Sequence, residues 1–264
     1  MNYDYENKLN NLFCSNEFQI GKYSFGKIIE IYTDIKKNTY FIGQNTDITL
    51  KENSECRYLK FCTENTKNLY IGNTRISLEK NSSLKSNFFI SSYKNCKNQI
   101  YSYLGKSAKI SIDSLILVEK NKKNQISTRI FHNKSGSISK QNHKIITKNF
   151  GKGYFSGLVK IYKNSNNSYA IVKNQNLLLE KFSKVSSHPN LEIYNKDVFC
   201  KHSATVFKVE KKIVFYLLTR GISKKKIRKL LILAFVKKIK RKIEIKEVKK
   251  IFSLQITEFL KEKK

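Results

Sequence analysis

From Lys27 onward the chain is a succession of short β-favouring runs separated by Asn, Ser, Gly and Lys: KIIEIYT, TYFIG, LYIGNTRISL, NFFISS, KISIDSLILV, HKIITK and GLVKIYK. Few exceed seven residues, and helical periodicity is nearly absent before Gly221. Such a pattern admits a sandwich, a barrel or a parallel β-helix. Segments such as GKSAKISIDSLIL and NKSGSISKQNHKIITKN pass from one run to the next through small or polar residues, without the Asn-Gly or Asp-Gly of a tight hairpin. Stacked rungs are joined in that way. The expected fold is mainly β, a parallel, right-handed β-helix core, although no strict repeat period is found.

The two ends read differently. Leu9, Leu12 and Phe13 fall on one side of a possible short helix, so residues 1–24 are expected to be a separate N-terminal segment and 25–220 the β core. Gly221 is expected to follow the last strand. Ser223 is placed to cap a helix to about Lys242, in which Ile227, Leu230, Leu231, Ala234 and Phe235 recur at three- and four-residue spacing. A second stripe, Val248, Ile251, Phe252, Gln255 and Phe259, predicts another helix, so 221–264 is expected to be a helical subdomain.

A formal charge of +32 would ordinarily point to a polyanion partner such as nucleic acid. Of the 52 basic residues, however, only six are Arg, leaving 52 − 6 = 46 Lys, and Asn and Ile are also abundant. All three have A/T-rich codons, whereas nucleic-acid readers favour the bidentate guanidinium. A basic nucleic-acid-binding protein with a β-rich fold is therefore the alternative reading and not the first. The start, MNYDYENKLNNLF, lacks a basic segment followed by an apolar one, and no run reaches the roughly 18 apolar residues of a membrane span. The chain is expected to be soluble, unexported and without a membrane partner.

Chemistry-bearing motifs are few. Cys14, Cys56, Cys62, Cys96 and Cys200 form no CxxC pair, so neither a disulfide framework nor a four-thiolate zinc site is signalled. Neither a nucleophile elbow nor a nucleotide-binding glycine loop occurs, GKGYFSG being only a superficial match. The acids are scattered, which counts against a carbohydrate-cleaving β-helix. The sharpest local signal is Cys200 with His202. On a strand, residues two apart share a face, so a thiolate and an imidazole would be presented together to a metal. The competing structural reading is a small hydrophobe beside a locally bonded imidazole.

Gly157–Ile161, Asn176–Leu179, Pro189–Ile193, Asp197–Thr205 and Phe215–Ile222 follow one another in the order of the C-terminal core of the SufB/SufD family of iron–sulfur cluster assembly proteins, which this stretch resembles. The resemblance implies a β-helix flanked by C-terminal helices and a non-enzymatic role in a complex with a SufB-like subunit and a SufC-like ABC ATPase. SufB members carry a cysteine near the Asn-Leu-Leu segment and a glutamate after the shared histidine, where this chain has Asn174 and Ser203. The Cys200–His202 pattern is instead SufD-like. It implies ligands lent to a transient cluster at the SufB interface, with no cluster held stably alone. The stretch Thr219–Phe235 is the implied ATPase-docking segment, with Thr219, Arg220, Ile227, Leu231 and Phe235 as contact candidates. The implied location is the cytoplasm of a bacterium, such as an AT-rich endosymbiont, or a plastid stroma.

Overall fold

The computed structural model describes residues 10–33, 40–63, 69–91, 94–180, 182–208, 211–243 and 245–260. Fourteen strands alternate between two seven-stranded parallel sheets. The first sheet stacks β1 (Asn10–Ile20), β3 (Tyr40–Leu50), β5 (Leu69–Leu78), β7 (Asn95–Leu104), β9 (Lys123–His132), β11 (Lys152–Ile161) and β13 (Lys184–Ile193). The second stacks β2 (Phe25–Thr33), β4 (Glu55–Thr63), β6 (Ser83–Ser91), β8 (Lys109–Val118), β10 (Ile138–Thr147), β12 (Ser168–Leu178) and β14 (Val198–Lys208). Each consecutive pair forms one rung, and the rungs coil into a β-solenoid as the sequence pattern implied.

The repeat is real but irregular in length. Asn95 lies opposite Lys123, 123 − 95 = 28 residues on, whereas Lys152 lies opposite Lys184, 184 − 152 = 32 residues on. Insertions in the connections hide the period from the sequence. Between strands of a rung the chain turns through left-handed residues, Asn53, Asn81, Ser107, Gly136 and Asn167 among them. Asn tolerates that conformation through its short polar side chain, and Gly136 at φ +70° meets no Cβ penalty. The hydrogen-bond ladder continues through these corners, as in Asn53 N–H to the Lys80 carbonyl at 3.0 Å and Asn81 N–H to that of Lys106 at 2.9 Å.

Alternate residues fill the solenoid interior. Ile48, Ile76, Ile100, Ile112, Ile130 and Val159 belong to one continuous buried core. The outer face of the second sheet is not left to solvent. Three helices follow the last strand, α1 (Lys211–Thr219), α2 (Lys224–Lys242) and α3 (Lys246–Leu260). Ile232, Val236 and Ile239 of α2, with Val248, Phe252, Ile256 and Phe259 of α3, pack on Phe61, Phe89, Leu115, Leu117, Ile146 and Leu177. Lysines of the β10 region reinforce the seam. Lys144 donates to the Phe235 carbonyl at 2.6 Å, and Lys148 donates to the Phe259 carbonyl in the last turn of α3 while pairing with Glu119 at 2.9 Å.

Two expectations at the ends change. Leu12 and Phe13 lie in strand β1, not in a helix, and Leu9 falls outside the described residues. Pairing with β3 from Asn10↔Tyr40 onward decides it, because the first rung is templated by the second. The helical region starts at Lys211 rather than beyond Gly221, so IVFYLL belongs to α1 and not to a last strand. Ser223 does cap α2, its hydroxyl accepting from the Lys226 N–H at 3.4 Å.

Candidate functional site at the terminal rung

Among the described residues strand β14 closes the second sheet, with β12 as its one hydrogen-bonded neighbour, and β13 closes the first. In register, Cys200 lies beside Ala170 and His202 beside Val172. Ala170 and Val172 are buried in the solenoid core, so Cys200 and His202 share the interior-facing side of the last strand. Cys200 is half-buried against that core, whereas His202 is exposed. Burial pushes the Cys200 thiol up from its ordinary value. A positive metal centre would reverse that by stabilising the thiolate.

The rim around the pair is apolar for a surface. Phe199, Val206, Ile193 and Tyr194 are all exposed, and Tyr169 stacks on Phe199 at 4.9 Å. An unpaired strand edge bearing exposed apolar side chains is a template for another chain. Among the described residues no three His, Cys, Asp or Glu side chains converge as a metal site. Cys200 and His202 therefore supply an incomplete donor set.

Behind this rim lies a polar interior that short motifs did not reveal. His143 is fully buried, with Nδ1 2.7 Å from the Ser114 hydroxyl and Nε2 3.1 Å from the Gln141 carbonyl oxygen. His132 is held between Ser137 at 2.7 Å and Ser139 at 2.8 Å. Burial lowers the two pKa values to about 3 and about 4, so both rings are neutral structural groups. Asn174 is buried in the same interior, donating to the His143 carbonyl at 3.5 Å, while Ser203 lies on the opposite side of β14. Toward the first rung, Glu30 accepts from Asn16, Thr46 and Tyr58, and Lys60 donates to Gln44. No pattern within KIIEIYT or RYLKFCT marks Glu30 and Lys60 as inward-facing.

The other sequence candidates separate by exposure. Thr219, the last residue of α1, and Arg220 just beyond it are exposed, Arg220 lying over the Tyr216 ring. Ile227 is only 2% exposed, and Leu231 and Phe235 are half-buried, so these three turn largely toward the protein. Ile213, Phe215, Tyr216 and Leu218 of α1 and Leu230 and Leu233 of α2 are the exposed large apolar groups there. Among the described residues no helix is long and apolar enough to cross a membrane.

The sequence profile of the family described as SUF system FeS cluster assembly, SufBD core domain, matches residues 6–235. The iron–sulfur cluster assembly protein SufD of Escherichia coli K12 is 28% identical over 209 residues, 79% of this chain and 49% of that protein. SufBD family proteins of Staphylococcus epidermidis and Mycobacterium leprae are 27% and 26% identical over 133 and 155 residues. The chain thus spans about half the length of the E. coli relative and 29% and 18% of the other two. These matches do not favour the nucleic-acid alternative.

Proposed function

This chain belongs to the SufBD core family of the SUF iron–sulfur cluster assembly system, and from that membership we propose that it acts as a SufD-like, non-enzymatic subunit of a SufB- and SufC-containing complex. The observation that carries the reading is the placement of Cys200 and His202 on the interior-facing side of a last strand whose outer edge has no neighbour in its sheet among the described residues. A SufB-like solenoid would dock at this rim. Cys200 thiolate and His202 imidazole would then complete the ligands of a nascent cluster held mainly by the partner, the cluster being cargo. The exposed α1 surface of Phe215, Tyr216 and Leu218, continuing into Thr219 and Arg220, would receive the SufC-like ATPase.

His202→Ala tests the reading, because His202 is exposed and makes little of the core. Co-expressed with SufB- and SufC-like partners, the variant should keep its melting temperature and assemble the complex while losing most of the bound iron and sulfide. The isolated wild-type chain should show no stable cluster absorbance. A fully loaded His202→Ala complex would remove the imidazole from the mechanism.

A further inference from the structure

The outer face of the second sheet carries a recess that the cluster chemistry does not use. Its floor is formed by β2, β4, β6 and β8, and its wall by the corner between α2 and α3. Its volume of about 280 Å³ sits at the lower edge of the range for small-molecule sites.

Register makes the floor strongly cationic. Lys27 lies beside Arg57, Arg57 beside Lys85, and Lys85 beside Ser111, so three cations stand in one column on successive rungs. At some other positions opposite charges stand side by side, Asp47 by Arg75 at 3.6 Å and Lys160 by Glu192 at 3.0 Å, while a second cationic column, Lys123–Lys152–Lys184, runs along the first sheet. Like charges directly opposite are unfavourable, and a bound anion removes the penalty. Lys242 adds a fourth cation from the end of α2.

Asp113 is the one acid among the described residues that line the recess, and both of its oxygens are engaged. Lys242 donates to one at 2.6 Å and Asn142 to the other at 3.0 Å. The negative end of the α2 dipole also points here, opposed by Lys240, Arg241 and Lys242 in its last turn. Asn87, between Leu59 and Asp113 in the next column, has a buried side-chain carbonyl oxygen with no partner. Its amide and the Ser111 hydroxyl offer neutral hydrogen-bonding groups beside the cations, and Leu59, Ile243 and Ile245 offer an apolar wall.

We propose that this recess binds a compact organic phosphate, with the phosphate on the Lys27–Arg57–Lys85 column and Asn87, and the organic part against Leu59, Ile243 and Ile245. The class includes sugar phosphates and mononucleotides, and the arms of the experiment separate them. The full chain is titrated calorimetrically at low ionic strength with a hexose phosphate, adenosine monophosphate and inorganic phosphate. At least one organic phosphate should bind at submillimolar concentration and more tightly than inorganic phosphate. Preference for the mononucleotide would assign the wall to a base, and preference for the hexose phosphate would assign Asn87 and Ser111 to sugar hydroxyls. Lys85→Gln should weaken binding about tenfold, the loss of one charge-assisted contact, with the melting temperature unchanged because Lys85 is exposed. Lys163→Gln, an exposed lysine outside the recess, should leave it unaltered. Equal weakening by both variants would reduce the effect to general charge. That result, or no binding of either organic phosphate at millimolar concentration, overturns the proposal.

Discussion

Acid should weaken this fold before carboxylates titrate, and two interior histidines set the size of the effect. Burial holds His143 at a pKa of about 3 and His132, against a weaker opposing bond with Ser137, at about 4. Unfolding returns both to ~6.5. A base kept neutral in the folded state contributes stability that is fully present above the unfolded pKa and is lost as pH falls toward the folded one. The window therefore opens below about pH 6.5 and extends to about 3 for His143 and about 4 for His132. At a pH roughly 1.5 units below the unfolded value, each histidine costs ~2 kcal/mol and the pair ~4 kcal/mol. That is a large part of a net stability of ~5–15 kcal/mol. Urea unfolding from neutral to mildly acidic pH, on wild type and His143→Gln, measures it. The variant should be less stable at neutral pH by ~1–3 kcal/mol, since Ser114 and Gln141 lose their partner. Its dependence on pH should nevertheless be about half as steep. Parallel curves for the two proteins would refute the reasoning, because the lost stability would then come from other groups.

Two further outcomes concern the helical layer. Phe252 is 1% exposed with its ring 5.0 Å from that of Phe89, so Phe252→Ala should lower stability by ~3–5 kcal/mol, read as a fall in the urea midpoint, while the β signal in circular dichroism persists. Truncation after Gly221 removes α2 and α3 and uncovers Phe61, Phe89, Leu115 and Leu117, so the shortened chain should aggregate or bind a hydrophobic dye. A monodisperse, dye-silent truncation would show that the solenoid does not need its cover.

How much of this was legible in the sequence follows from which faces are buried. Where the solenoid meets solvent, as in LYIGNTRISL of β5, burial alternates strictly and the strand is plain. In β4, RYLKFCT turns Tyr58, Lys60 and Cys62 inward while Leu59 and Phe61 are covered by helices, so both faces are buried and alternation carries no direction. The inward placement of a lysine therefore left no trace. The local spacing of Leu12 and Phe13 suits a helix, but pairing with β3 holds them in strand β1. IVFYLL is the converse, a β-favouring composition that forms α1. The Cys200–His202 pair was legible because its geometry depends only on the two-residue period of one strand.

The chain's only proline bears on which edge of the open rung continues into a partner. Pro189 lies in β13, opposite Gly157 of β11, and has no N–H to donate on either side. Proline is tolerated in a sheet at an edge, and β13 is one. A strand added beyond β13 would find one donor missing at its centre, so that edge resists extension. Strand β14 has no proline along Val198–Lys208, and its outer edge runs past Phe199 and Val206. Of the two rims, β14 is therefore better suited to extend its ladder into a second solenoid, and it is also the strand that presents Cys200 and His202. Pairing there would draw the partner's backbone to about 4.8 Å, the ordinary inter-strand spacing, close enough for thiol and imidazole to share a metal with the partner's ligands. In the proposed complex, the stop on one edge and the open ladder on the other would thus direct the partner toward the only Cys-x-His in the chain.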